Sequence, residues 1–179
     1  MLTLVTVSLV PAAVLPRLRG TFGREYHYAV AAETTQLMLP PDAANGAVAL
    51  AEHQTAGRGR LGRVWVDEPG TGLSFSVVVY PQLPVARWPE LTLVAANAVA
   101  AAIGNAATIK HPNDVFVDGR KVAGILAESS DRVVIGIGVN VGSAPWPGAG
   151  FVEADRLELL IEILDRLERS YDAWGATGS

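Results

Sequence analysis

Two short segments carry most of the side chains that could do chemistry. In Gly57-Arg58-Gly59-Arg60-Leu61-Gly62-Arg63, three arginines fall within six residues on a backbone whose glycines can take positive φ. Such a loop can fold closely over an anion, offering it backbone N–H groups and guanidinium forks together. The second segment is Lys110-His111-Pro112-Asn113-Asp114, with Lys121 seven residues beyond Asp114. These are the only two lysines of the chain, every other fixed positive side chain being arginine. Lysine is not a general solubiliser here, and a compact ammonium near a phosphate stabilises charge that develops in nucleotidyl transfer.

Each segment also has a plainer reading. An arginine-glycine stretch can be a solvated surface loop or an RNA-binding tail, and two lysines can decorate a hairpin surface. This stretch lies between apolar runs, and Trp65 follows it at once, a residue expensive to leave exposed beside a flexible loop. A lid is therefore expected. Asn113-Asp114 after a proline is a normal turn-former that could equally hold a metal or orient a ribose, and these residues alone do not choose. In Gly136-Ile137-Gly138-Val139-Asn140, small residues in an apolar strand would admit a ligand or another strand. Asn140 there needs hydrogen-bond partners if buried, and a turn asparagine at a strand end is the plainer alternative.

The elements that must position these groups follow from spacing. Residues 26–32 and 47–51 are short apolar runs bounded by turn-formers and read as strands. Between them residues 34–38 could open a helix, which Pro40 and Pro41 would end. Residues 54–72, with five glycines, three arginines and no hydrophobic period, read as a loop. Residues 73–80 alternate apolar side chains with Ser74 and Ser76, predicting a strand with one wet face. Trp88, Leu91, Val94, Ala95, Ala98, Val99, Ala102 and Ile103 recur at helical spacing, predicting a core-facing helix over 87–104.

Strand character resumes at 107–109. Residues 115–117 and 121–127 flank Asp118-Gly119, a dipeptide that favours the type I′ hairpin turn. Residues 132–141 form a further strand. Leu157, Leu160, Ile161, Leu164, Leu167, Tyr171 and Trp174 share one face of a helix over 154–174, ended by Gly175. Strands mostly joined by hairpins, with a few helices, predict an α+β fold: a mixed, largely antiparallel sheet with helices packed on one side, in a single domain.

Composition excludes several classes. The chain has 179 residues, 50% hydrophobic and 18% charged, which suits one globular domain. Its net charge of -4 argues against a dedicated nucleic-acid binder. That charge is local: residues 153–172 hold seven acids and three arginines, and the rest of the chain is balanced. The absence of cysteine excludes disulfides, Cys-ligated zinc and thiol catalysis, and fits a cytoplasmic location. The apolar start, MLTLVTVSLVPAAVL, lacks a basic n-region and is too short to span a bilayer, so a buried strand or helix at the domain edge is expected.

Taken together and in order, these motifs resemble the biotin protein ligase family. The family's glycine-rich loop is similar to Gln54-Thr55-Ala56-Gly57-Arg58-Gly59-Arg60-Leu61-Gly62-Arg63 followed by Trp65. Its Lys-Trp-Pro-Asn-Asp motif is similar to residues 110–114, and its Lys-x-x-Gly-Ile-Leu motif to Lys121-Val122-Ala123-Gly124-Ile125-Leu126. Its Gly-x-Gly-x-Asn strand is similar to residues 136–140, and its Ser-Thr-Asn biotin contact to Thr34-Thr35-Gln36.

The resemblance implies a class II synthetase-like catalytic domain over residues 25–175 after an N-terminal segment of 1–24. It implies activation of biotin by ATP and magnesium to biotinyl-5′-adenylate. Transfer to a lysine of a biotin carboxyl carrier protein would follow. By the same resemblance Lys121, Arg58 and Arg60 are catalytic. Thr34, Thr35, Gln36, Gln54, Arg58, Gly59, Arg60, Lys121 and Gly124 would contact biotin. Arg58, Arg60, Arg63, Trp65, Asn113, Lys121 and Asn140 would contact ATP or the adenylate, and the magnesium ligands stay unassigned.

His111 stands where the family has tryptophan, and Gln36 replaces a shorter asparagine. Neither an N-terminal helix-turn-helix, and so no DNA binding, nor a C-terminal β-barrel is expected, and the short apolar start predicts no membrane association. Two alternatives remain: a lipoate or octanoate ligase on the same scaffold, and a non-catalytic biotin-binding module.

Overall fold

The computed structural model describes residues 8–178. Seven strands make one sheet: β1 (Tyr26–Ala29), β2 (Val48–Ala51), β3 (Leu73–Val79), β4 (Ala107–Lys110), β5 (Asp114–Val117), β6 (Arg120–Ser129) and β7 (Val133–Val139). Their spatial order is β1-β2-β3-β7-β6-β5-β4. β1 and β2 run parallel, and every other neighbouring pair is antiparallel. The expected mixed, largely antiparallel sheet is therefore the observed one.

The two faces of the sheet differ because side chains alternate along a strand. Phe75, Val77, Ile135 and Ile137 point into a core completed by two long helices, α2 (Glu90–Ile103) and α3 (Arg156–Gly175), through Leu91, Val99, Leu160 and Leu164. A short helix, α1 (Pro11–Val14), joins the same core through Val14. The apolar start is thus partly seen as an edge helix, while residues 1–7 lie outside the described residues. Among the described residues no helix is long and apolar enough to cross a membrane.

Several boundaries depart from the periodic reading. The helix expected at 34–38 is a single 3-10 turn, Thr35–Leu37, too short a stretch to propagate an α-helix before the prolines. The first strand closes at Ala29 and β7 at Val139. Asp118 (φ 50°) and Gly119 (φ 72°) both take left-handed conformations, as the predicted type I′ turn requires. Helix α3 starts at the Asp155 cap, whose side chain accepts from Glu158 N at 2.9 Å. It ends at Gly175, as expected, and a separate 3-10 turn, Ala176–Gly178, follows directly.

The largest correction concerns β3. Its serines do not face water: all seven residues of the strand are buried, and the hydroxyls bond inward, Ser74 to Asp67 and Ser76 to Thr35. The acidic stretch in α3 is likewise not a free patch. Glu158 and Glu162 pair with Arg17 and Arg19, and Glu168 accepts the backbone amides of Thr21 and Phe22. The helix thereby ties down the segment before β1.

A buried ion pair closes this edge. The Arg156 guanidinium binds Glu52 and donates from Nε to Gly72 O at 2.7 Å. Glu52 also accepts from Leu9 N and the Tyr28 hydroxyl. Burial alone would push the Glu52 carboxyl up, but the Arg156 guanidinium, the Leu9 amide and the Tyr28 hydroxyl together hold it below the usual range. A carboxyl lowered in the folded state contributes stability that is fully present above the unfolded pKa and lost as pH falls through the folded one. We expect Arg156→Ala to cost about 3–5 kcal/mol in chemical denaturation, since it leaves a buried charge uncompensated. Glu52→Gln should also flatten the loss of stability below about pH 4.5.

Candidate functional site

On the face of the sheet away from α2 and α3, a cavity of about 610 Å³ opens over alternate residues of β6 and β7, namely Gly124, Leu126, Gly136 and Gly138. Three segments wall it. The 3-10 turn brings Thr34, Thr35 and Gln36; the loop after β2 brings Gln54, Arg58, Gly59, Arg60, Arg63 and Trp65; the β4–β5 turn and β6 bring Asn113 and Lys121. Every residue expected to contact biotin, ATP or the adenylate, except Asn140, lines this one cavity.

Asn140 is buried and does not line it. Its Nδ2 donates to Gly150 O at 2.9 Å, its backbone N–H to Val122 O, and its carbonyl accepts from Val152 N. It fixes the loop that carries Trp146 to the cavity edge.

Gly136 and Gly138 line the cavity, and side chains of the protein itself lie close above them. A Cβ at Gly138 would lie 2.3 Å from the Trp65 ring, and one at Gly136 would lie 2.9 Å from Gln36 Nε2. The protein's own side chains make the close approach, so the glycines let Trp65 and Gln36 lie flat on the cavity floor.

A register shift gives Lys121 its place. Across from β5, Ala123 pairs with Val115 but Lys121 pairs with Phe116, so Val122 is skipped. In a regular strand Lys121 and Gly124, three apart, would face opposite sides. The shift puts both on the cavity, with Lys121 Nζ 2.9 Å from Asp114 Oδ1 and 6.0 Å from the Trp65 ring centroid.

The cationic loop is held by weak, replaceable contacts. Arg58 Nη1 lies 3.2 Å from Glu128 Oε1, and Arg60 Nη1 donates to Asn113 Oδ1 at 3.1 Å, both pairs in solvent-exposed settings. Its tip is the 3-10 turn Arg60–Gly62, in which Leu61 takes φ 57° and is 90% exposed. Below the tip, Gly59 N donates to Arg63 O and Trp65 N to Gly57 O.

Polar groups on the cavity wall are deliberate in their incompleteness. Thr35 is fixed twice, its N–H donating to Gln54 Oε1 at 2.9 Å and its hydroxyl bonding Ser76 at 2.7 Å. Gln36 Nε2 donates to Leu126 O at 3.1 Å, which leaves Gln36 Oε1 buried with no partner. Trp65 Nε1 is likewise buried and unpartnered. An unmet buried polar atom costs about 1–3 kcal/mol unless a ligand completes it.

Asp114 is the only carboxylate on this cavity among the described residues, and no group of three or more metal-ligating side chains occurs there. Sequence reading missed Asp114 as the Lys121 partner, Trp146 and the His53, Asp67 and Ser74 cluster behind the loop. Trp146, a large aromatic in a Pro- and Gly-rich loop, carried a usable signal; the others depend on contacts made across the sheet.

Residues 30–140 match the biotin/lipoate A/B protein ligase family. The bifunctional ligase/repressor BirA of Bacillus subtilis (strain 168) is 42% identical over an aligned length of 123 residues, gaps included, that covers 63% of this chain and 38% of that protein. The biotin–[acetyl-CoA-carboxylase] ligase of Paracoccus denitrificans is 43% identical over an aligned length of 125 residues, gaps included, that covers 63% of this chain and 52% of that protein. The chain thus spans about half or less of these curated relatives. A biotin protein ligase from Aquifex aeolicus in complex with biotin and ATP superposes with a TM-score of 0.75 at 28% identity, covering 86% of this chain and 72% of that one. The matched span includes the 3-10 turn, the arginine loop, both lysines and the glycine strand, and the chain belongs to the biotin/lipoate A/B protein ligase family.

Proposed function

We propose that this chain is the catalytic domain of a biotin protein ligase, and that it forms biotinyl-5′-adenylate and passes the biotinyl group to a carrier-protein lysine. The family includes ligases of both biotin and lipoate, and Gln36 carries the choice between them. Its Oε1 is a buried acceptor without a donor. Biotin's ureido ring has N–H donors that would complete it, whereas lipoate and octanoate present only hydrocarbon or sulfur there. The longer side chain, resting on Gly136, reaches the cavity floor where a shorter amide would stop earlier.

Both reactants of the first step are anions, so the site must supply positive charge. Biotin's carboxylate oxygen attacks the α-phosphorus, a phosphorus–oxygen bond forms, and pyrophosphate leaves. Arg58, Arg60 and Lys121 supply the charge, the arginines exchanging Glu128 and Asn113 for phosphate oxygens. Arg63 adds to the same field, and Gly59, whose N–H is held by Arg63 O, would meet the ligand through a Cα that carries no side chain. Magnesium, when bound with the nucleotide, would neutralise phosphate charge. With Asp114 the only carboxylate on the cavity among the described residues, the phosphates themselves would be its main ligands.

Trp65 and Asn113 suit the adenine and ribose side. In the second step a lysine amine of the carrier, of the biotin carboxyl carrier type, attacks the acyl carbon and AMP departs. The 57–63 loop shields the anhydride from water until then.

Biotin-dependent ATP–pyrophosphate exchange tests this reading: activity with biotin and none with lipoate is expected. Exchange with lipoate alone, or biotin binding without exchange, would overturn it. Gln36→Met should weaken biotin binding about tenfold or more, measured by calorimetry. Lys121→Ala should cut adenylate formation by about tenfold or more with the unfolding midpoint unchanged. Amides of residues 57–63 should exchange hydrogen more slowly once biotin and ATP are both present.

A further inference from the structure

We propose that Asp67 is a positioning residue whose carboxylate clasps the two ends of the arginine loop and thereby sets Gln54 and Thr35 for biotin; this rests on the ligase reading above. Asp67 stands where the loop returns to the sheet, and its side chain is only 8% exposed. Its Oδ1 and Oδ2 accept from Gln54 N, at the start of the loop, at 3.1 and 3.2 Å. Oδ2 also accepts from the Ser74 hydroxyl at 2.7 Å, and Oδ1 lies 2.7 Å from His53 Nδ1. One buried carboxylate therefore joins the loop's exit, its entry and the floor strand β3. Bonds to an ionised acceptor are stronger than neutral ones, which suits a fixed hinge.

The clasp reaches the ligand through one residue. With its backbone held by Asp67, Gln54 turns its Oε1 to the Thr35 amide, and Thr35 is held from beneath by Ser76. Ser74 and Ser76, two apart on the same face of β3, thus serve Asp67 and Thr35 respectively. None of Asp67, His53 and Ser74 lines the cavity, whereas Gln54 and Thr35 do. Above the clasp, backbone bonds close the Gly57–Trp65 and Gly59–Arg63 pairs. Movement of the loop is left to the arginine-bearing tip, and the biotin end stays set while the tip opens.

Steady-state pyrophosphate exchange and amide hydrogen exchange on the full chain test this. Asp67→Ala should raise the biotin KM about tenfold, with kcat and the ATP KM changed by less than about threefold. Asp67→Asn keeps an acceptor for the Gln54 amide and should bring the biotin KM to within about threefold of the unaltered protein. In the ligand-free protein the Gln54 amide should exchange about tenfold faster in Asp67→Ala than in Asp67→Asn. An unchanged biotin KM, a fall in kcat alone, or an Asn variant as impaired as the Ala variant overturns the proposal. If Asp67→Ala does not fold, Ser74→Ala, which removes one contact to the clasp, should raise the biotin KM about threefold, and no rise overturns it. Absence of biotin-dependent exchange in the unaltered protein would count against the ligase reading alone, and the Gln54 amide rates would still decide the clasp.

Discussion

Strand β7 has to satisfy two demands at once, and the site depends on how it does so. Its odd positions, Ile135 and Ile137, are large and apolar because they meet the helices across a close-packed core. Its even positions, Gly136 and Gly138, have no side chains, because Gln36 and Trp65 occupy the space a Cβ would need. A sheet covered on both faces by bulky residues would have no cavity. A sheet with glycine at every position would have no core. Alternation of side chains along one strand separates the two requirements without compromise to either.

The polar part of the site follows the same economy. Ser74 and Ser76 are buried in the strand next to β7, where unpaired hydroxyls would be costly, and each is matched by a partner that itself touches the loop or the cavity. The atoms left unmatched, Gln36 Oε1 and Trp65 Nε1, lie on the cavity wall, where a ligand can reach them. Fixed bonds hold the base of the loop, whereas the arginines at its tip rest on exposed, exchangeable partners. Bonds to shielded partners and bonds to exposed ones are thus assigned to different stretches of a single loop.

Which residues would meet at the site was legible from residue types. Two lysines in a chain that otherwise uses arginine, three arginines among glycines, and a glycine-spaced strand all mark the same cavity, because charge and small size are properties each residue carries by itself. The helices and most strands were legible for a similar reason: hydrophobic period is local. Asn140 was not, because an asparagine at a strand end is suited equally to a ligand and to a neighbouring carbonyl, and only the path of the 140–152 loop brings Gly150 to it.

The amino-acid order alone determined a single α+β sheet protein with an arginine- and glycine-rich loop and a paired-lysine segment. The tertiary structure decided what needs residues distant in sequence to meet. It set the register shift that turns Lys121 and Gly124 to one face, the burial of the β3 serines, and the clasp of Asp67 on Gln54. Each of these is a contact across strands or between loop ends, and no local period or composition encodes such a contact. The arginine loop and the lysine segment are therefore sufficient to suggest the chemistry, and only the sheet beneath them brings the two to the wall of one cavity.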